Sequence, residues 1–153
     1  MISVCMATYN GARYLNAQLD SILKQLSSQD EVVISDDGST DGTIDIIRSY
    51  NDYRIKLVHN SGRKGVVGNF ENALANAKGD FIFLSDQDDI WHDNKVEVVM
   101  CALKDSQLVV HNALLVDENE VPFGNDYFHV RGVRKGFWNI LIKNRFLGCC
   151  MAF

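Results

Sequence analysis

Short apolar runs recur along this chain, each followed by a turn-rich loop and then by apolar residues at helical spacing. Residues 2–6 have strand length and β-branched character, and Thr8, Tyr9, Asn10 and Gly11 signal a turn after them. Leu15, Leu19, Ile22, Leu23 and Leu26 then mark one face of a helix, with Gln18, Asp20 and Lys24 expected to face water. The unit returns at residues 32–35, which are halted by Asp36-Asp37-Gly38-Ser39-Thr40-Asp41-Gly42 and followed by Ile44, Ile46 and Ile47. The plain alternative for that acidic turn is an N-cap from Ser39, Thr40 or Asp41. A third strand at 55–58 leads through Gly62, Gly65 and Gly68 to a helix striped by Phe70, Ala73, Leu74 and Ala77 and closed by Gly79-Asp80. Residues 81–84 give a fourth strand, Val96, Val99, Met100 and Leu103 a fourth helix capped by His92 or Asp93, and 108–110 a fifth strand. Strands that alternate with helices, and whose runs have no polar face, specify an α/β fold with a mostly parallel sheet flanked by helices. In such sheets ligands sit at the carboxyl ends of the strands.

Beyond Ala113 the rhythm weakens. Residues 117–120 read as a hairpin or loop, 136–144 as an amphipathic helix, and 146–153 as a strand with no helix after it, so the chain reads as cut short. Its 153 residues, 46% of them hydrophobic, are enough for one core, and residues 1–153 are expected to form a single domain. Fifteen basic residues against twenty acidic ones give a net charge of −5, which argues against a nucleic-acid partner needing a basic face. No run approaches the roughly 18 apolar residues of a membrane span, and residues 1–6 lack a basic leader, so a cytoplasmic location is expected. Cys5, Cys101, Cys149 and Cys150 lack paired CxxC spacing and read as free thiols serving as small apolar core residues.

The acids are unevenly spread. Residues 30–47 hold six and residues 80–94 hold five, with no Lys or Arg in either window. A solvated surface explains many charge runs, but these acids follow the second and fourth strands, where the crevice of a parallel sheet lies. In Ser85-Asp86-Gln87-Asp88-Asp89-Ile90-Trp91, Asp86 and Asp88 are spaced to project the same way from extended backbone. Two hard oxygen ligands suit Mg²⁺ or Mn²⁺ shared with a diphosphate-bearing substrate. Asp36-Asp37-Gly38-Ser39 offers acceptor carboxylates beside a glycine, where the N–H groups of a planar base can be held, and Tyr9 offers an aromatic surface at the same sheet end.

Ala7-Thr8-Tyr9-Asn10-Gly11, Asp36-Asp37-Gly38-Ser39-Thr40-Asp41 and Asp86-Gln87-Asp88-Asp89-Ile90-Trp91, in that order, resemble a family 2 glycosyltransferase of the GT-A fold, over essentially the whole chain. The S-D-Q-D-D-I-W form and Gly148-Cys149-Cys150-Met151-Ala152-Phe153 are most similar to bacterial rhamnosyltransferase-type members. The resemblance implies a metal-dependent inverting transfer from a UDP- or dTDP-linked sugar to a glycan or lipid-linked acceptor in cell-surface polysaccharide synthesis. It implies that Thr8 and Tyr9 border the nucleobase, that Asp37 accepts from the pyrimidine N3, and that Asp86 and Asp88 (the DXD motif) engage ribose, Mg²⁺ or Mn²⁺, and diphosphate. Such members carry their general base after the G-C-x-M-A-F strand, hence beyond Phe153; no carboxylate occurs from Tyr127 to Phe153. The alternative is a non-catalytic nucleotide-sugar binding module or an inactive fragment. Members also often carry a basic residue directly before Asn69, where this chain has Gly68; Arg63 or Lys64 is the substitute for diphosphate contact.

Between His129 and Arg145 the charge reverses. Arg131, Arg134, Lys135, Lys143 and Arg145 stand beside Phe128, Phe137, Trp138 and Ile140, a composition suited to peripheral contact with the inner face of the membrane or with a lipid-linked diphosphate acceptor. An ordinary helix packed on the sheet is the plain alternative. His111 and His129 read as packing or surface residues.

Overall fold

The computed structural model describes residues 1–117, 119–134 and 145–153. The helix expected at 136–144, and most of its basic and aromatic residues, lie outside the described residues. Four βα units come first: β1 (Ile2–Thr8) and α1 (Leu15–Leu23), β2 (Glu31–Asp36) and α2 (Thr43–Ser49), β3 (Ile55–His59) and α3 (Val66–Asn76), β4 (Phe81–Ser85) and α4 (Lys95–Ala102). β5 (Val109–Val110), the short helix α5 (Tyr127–Arg131), a 3-10 turn at Gly148–Cys150 and β6 (Met151–Ala152) follow. The sheet order is β3-β2-β1-β4-β6-β5. β1 pairs in parallel with both β2 and β4, and β2 with β3, whereas β6 is antiparallel to β4 and β5.

Alternation along the strands sends side chains to two cores. Val4, Met6, Ile34 and Phe83 join Leu15, Leu19 and Ile22 of α1, Ile47 of α2 and Val99 of α4. Cys5 and Val33 face the opposite way, against Ala73 and Leu74 of α3. Leu15, Leu19 and Ile22 are fully buried, each contributing about 1.5–3 kcal/mol relative to exposure, which is what holds α1 on the sheet.

Several elements depart from the sequence reading. Gln18 does not face water: it lies at spacing i+3 from Leu15, on the buried stripe, and is 0% exposed. α3 ends at Asn76, earlier than Gly79-Asp80, because Gly79 N–H is taken by Ser3 Oγ at 2.7 Å, on the neighbouring strand. α4 begins after Asn94 with no side-chain cap, so neither His92 nor Asp93 serves, and α2 begins after Gly42, one residue beyond the expected caps. Residues 146–153 hold a strand of two residues only, since the 3-10 turn takes up Gly148–Cys150. Flanking the expected hairpin or loop, Val116 bridges to Pro122 and Asp117 N–H donates to Val121 O at 3.0 Å. Cys5, Cys149 and Cys150 are buried free thiols as expected, but Cys101 is exposed on α4. Among the described residues no helix is long and apolar enough to cross a membrane.

Candidate functional site

At the carboxyl end of β2 the two consecutive aspartates have different tasks. Asp36 is 1% exposed, and its carboxylate accepts from Gly38 N–H (2.9 Å), Ser39 N–H (2.8 Å) and the Ser39 hydroxyl. It is the acceptor that folds the turn. The Thr8 hydroxyl lies 3.1 Å from the same carboxylate and Thr8 is itself buried, so Thr8 supports Asp36 instead of presenting its side chain to the crevice. Asp37 projects the other way and accepts from Asn60 Nδ2 at 2.9 Å and Gly65 N–H at 2.8 Å, with Lys64 Nζ at 3.4 Å. The Gly65 N–H first, with Lys64 and Asn60, holds the Asp37 carboxyl below the usual carboxylate range. A carboxylate has about four lone-pair directions, so Asp37 keeps capacity for a further donor.

The loop after β1 is tied to both of its neighbours. Asn10 N–H donates to Ser39 Oγ at 2.9 Å and Asn10 Oδ1 accepts from Thr40 N–H at 2.8 Å. Gly11 N–H donates to Thr43 Oγ1 at 2.9 Å and Ala12 N–H to Asp41 Oδ2 at 3.1 Å. On the other side the Gln87 amide pairs with the Tyr9 backbone as a second peptide would: Tyr9 N–H reaches Gln87 Oε1 at 2.9 Å, and Gln87 Nε2 reaches Tyr9 O at 3.1 Å. A Cβ on Gly11 would lie 2.2 Å from that Oε1, so residue 11 must be small for the clasp to close. Tyr9 itself is 57% exposed, its ring available as a surface. From beneath, buried Gln18 donates to Ser85 Oγ and to Asp86 O at 2.9 Å, fixing the point where β4 ends.

At that point stand Asp86, Asp88 and Asp89. Residues 87 and 88 form a turn, so Asp86 and Asp88 do not leave along extended backbone as the spacing suggested; the carboxylate gathered with Asp86 is Asp89. Asp86, Asp89 and Cys149 each offer one ligand atom, all within 4.8 Å of one another. Burial first, then the neighbouring Asp89 and Asp88, raises the Asp86 carboxyl above its ordinary range. The Cys149 thiol is likewise pushed up, by its hydrogen bond with Cys150, by burial and by both carboxylates. A divalent cation would reverse each of these penalties, because it favours the charged form of every group around it. Two carboxylates fit Mg²⁺ or Mn²⁺ by donor chemistry. Nearby, Lys95 Nζ sits 3.9 Å from the Trp91 ring centre, and burial pushes its ammonium down to about 8.

The glycine loop before α3 closes the other side. Arg63 O accepts from Asn60 Nδ2 at 2.8 Å, and a Cβ on Gly68 would lie 1.9 Å from that carbonyl oxygen. No side chain fits at position 68, which explains why this chain lacks a basic residue there. Lys64 is engaged by Asn60 O and Asp37, and Arg63 is exposed. A groove of about 340 Å³, lined by Val66, Phe70, Leu74, Leu84, Asp86 and Cys149 among others, opens between α3 and the 3-10 turn.

Gln18 and Gln87 are the site residues that sequence reasoning missed. The first was legible in the i, i+3, i+4 stripe; the second lay inside the D-Q-D motif but was read only as its spacer.

The model of glycosyl transferase family 2 matches residues 3–151. Over 97% of its length the chain is 33% identical to UDP-Glc:alpha-D-GlcNAc-diphosphoundecaprenol beta-1,3-glucosyltransferase WfgD of Escherichia coli, of which it covers 58%. It is 33% identical to glycosyltransferase GlyG of Streptococcus pneumoniae, covering 86% of this chain and 44% of that relative. The chain thus spans about half the length of the curated relatives it matches. Among solved structures, residues 1–349 of S. aureus TarS in complex with UDP superpose with a TM-score of 0.69 at 27% identity, over 80% of this chain and 38% of that one. Mannosyltransferase PcManGT from Pyrobaculum calidifontis, in complex with GDP-Man and Mn²⁺, gives 0.63 at 27% identity, over 78% and 36%. The expected GT-A architecture is the one observed.

Proposed function

The chain belongs to glycosyl transferase family 2, and from that premise we propose that it transfers a sugar, with inversion, from a UDP- or dTDP-linked donor to a glycan or lipid-linked acceptor in cell-surface polysaccharide synthesis. The observation that carries this reading is the hydrogen-bonded joining of three loops at the carboxyl ends of adjacent parallel strands: Asn10 to Ser39 on one side and Tyr9 to Gln87 on the other. This joining supports a reading in which Asp37, Tyr9 and Asp86 border one crevice.

In it, Asp37 accepts the N3–H of a pyrimidine and Tyr9 supplies a face for the base, while Thr8 positions the turn behind them. Asp86 serves ribose and metal, with Asp89 as the second carboxylate ligand and Asp88 of the motif in the turn between them. When bound, Mg²⁺ or Mn²⁺ supplies Lewis-acid stabilisation of the charge developing on the leaving diphosphate. Gln18 and Gln87 hold the Asp86 turn in place, and Arg63 or Lys64 meets the diphosphate from the glycine loop. The named donor of the WfgD relative and the UDP bound by TarS support a uridine donor, and the diphosphoundecaprenol of the relative's name supports a lipid-linked acceptor.

Calorimetric titration tests the donor reading. UDP or dTDP should bind in the presence of Mn²⁺, and markedly less well once the metal is chelated. Equal affinity for every nucleoside diphosphate, or binding indifferent to metal, would overturn it.

A further inference from the structure

We propose that Cys149 is a third protein ligand at the Asp86 cation site, so that this site accepts thiophilic Zn²⁺ and Cd²⁺ through two carboxylates and one thiolate. This rests on the reading of the Asp86 turn as a cation site and adds to it a donor of different chemistry. The ligand atoms of Asp86, Asp89 and Cys149 lie within 4.8 Å of one another, close enough for all three to meet one ion. They come from two separate segments, and the second is held firmly. Phe153 N–H donates to Ile82 O at 3.0 Å and Ile82 N–H to Phe153 O at 2.7 Å, which pins the strand following the 3-10 turn directly against β4.

Access is also present. Asp89 is exposed, and Asp86 and Cys149 both line the open groove beside α3, giving an ion a path to a thiol that is otherwise 5% exposed. Three protein ligands with one position left for water or substrate oxygen is an arrangement Zn²⁺ adopts readily. A thiolate is a soft donor that Mg²⁺ does not favour, whereas Zn²⁺ and Cd²⁺ do, so the thiol changes which ions the site prefers. On binding, the Cys149 S–H bond breaks, its proton passes to solvent, and a sulfur–metal bond forms without change of oxidation state.

Cd²⁺ titration of the metal-free chain, followed by the ultraviolet thiolate-to-cadmium charge-transfer band, tests this. One equivalent should saturate the band. Cys149→Ser should abolish it with an unchanged far-ultraviolet circular dichroism spectrum, while Cys101→Ser and Cys150→Ser retain it. Asp89→Asn, at an exposed position that leaves the core intact, should weaken Cd²⁺ binding at least about tenfold. Absence of the band in the parent chain, or a band that survives Cys149→Ser, overturns the proposal. UDP titration with Mg²⁺ on the same samples separates the two readings. A Cys149-dependent band without UDP binding supports the metal ligand and defeats the nucleotide assignment, and UDP binding without such a band does the reverse.

Discussion

The tips of β2 and β4 are both rich in aspartate, yet the two sets of carboxylates live in opposite conditions. At β2, Asp36, Asp37 and Asp41 are each met by backbone N–H groups or hydroxyls, and Asp37 and Asp41 are held below the usual carboxylate range by those donors. At β4, no backbone N–H or cationic side chain donates to Asp86, Asp88 or Asp89 among the described residues, and burial with like charge raises Asp86. Acids at one tip build the fold of the loop; at the other, Asp86 is buried beside like charges, a condition that a bound cation relieves. Composition alone does not separate these cases. The difference comes from which loop supplies donors.

Substitutions can break this contrast. Asp36→Ala should cost the most, about 3 kcal/mol of unfolding free energy, since it leaves the Gly38 and Ser39 N–H groups without their acceptor; a denaturant midpoint matching the parent chain would remove Asp36 from its structural role. Asp86→Asn should do the reverse, leaving metal-free stability equal or higher while lowering Mn²⁺-dependent UDP affinity about thirtyfold. If calorimetry instead shows intact nucleotide binding, the β4 tip is not the cation site. Asp37→Ala should weaken UDP about tenfold with Mn²⁺ affinity unchanged, and parallel losses of both would merge the two tips into one function.

The smallest effect is on pH dependence. Asp37, held low, contributes stability above its unfolded pKa near ~3.9 that is lost as pH falls through its lower folded value. Asp86, held high, makes the metal-free fold lose stability as pH rises from ~3.9 through its raised value. Thermal melts of the metal-free chain should therefore show Asp86→Asn gaining about 2–4 °C over the parent between acidic and neutral pH, with the gain absent at the acid end. A gain that does not vary with pH would reject the assignment.

The sheet and the two acidic tips were legible in the sequence because both follow from local signals: apolar runs fix β1 to β4, and acids after a buried run fall at the crevice. What was not legible depended on contacts between distant segments. That Asp89 joins Asp86 follows from a turn at residues 87–88, a conformation that D-Q-D-D does not announce. That Cys149 joins them requires knowing that β6 enters the sheet beside β4. Thr8 was placed at the crevice by its neighbours, whereas the register that sets it opposite Asp36 buries its side chain. Gln87 was hidden by its position between two aspartates, although its amide is the group that latches two loops together.

The placement of β6 between β4 and β5 also sets an order of assembly. β2 pairs with β1 and β3 with β2 in turn, and β4 then crosses back to the free edge of β1, setting Phe81 opposite Ile2. Among the described residues β5 pairs only with β6, which comes later in the chain than the other described strands. In a polypeptide emerging amino end first from the ribosome, the edges of β4 and β5 stay open until Met151 and Ala152 arrive. The same arrival carries Cys149 to the carboxylates of β4, so this side of the crevice is completed only after β1 to β4 have been synthesised.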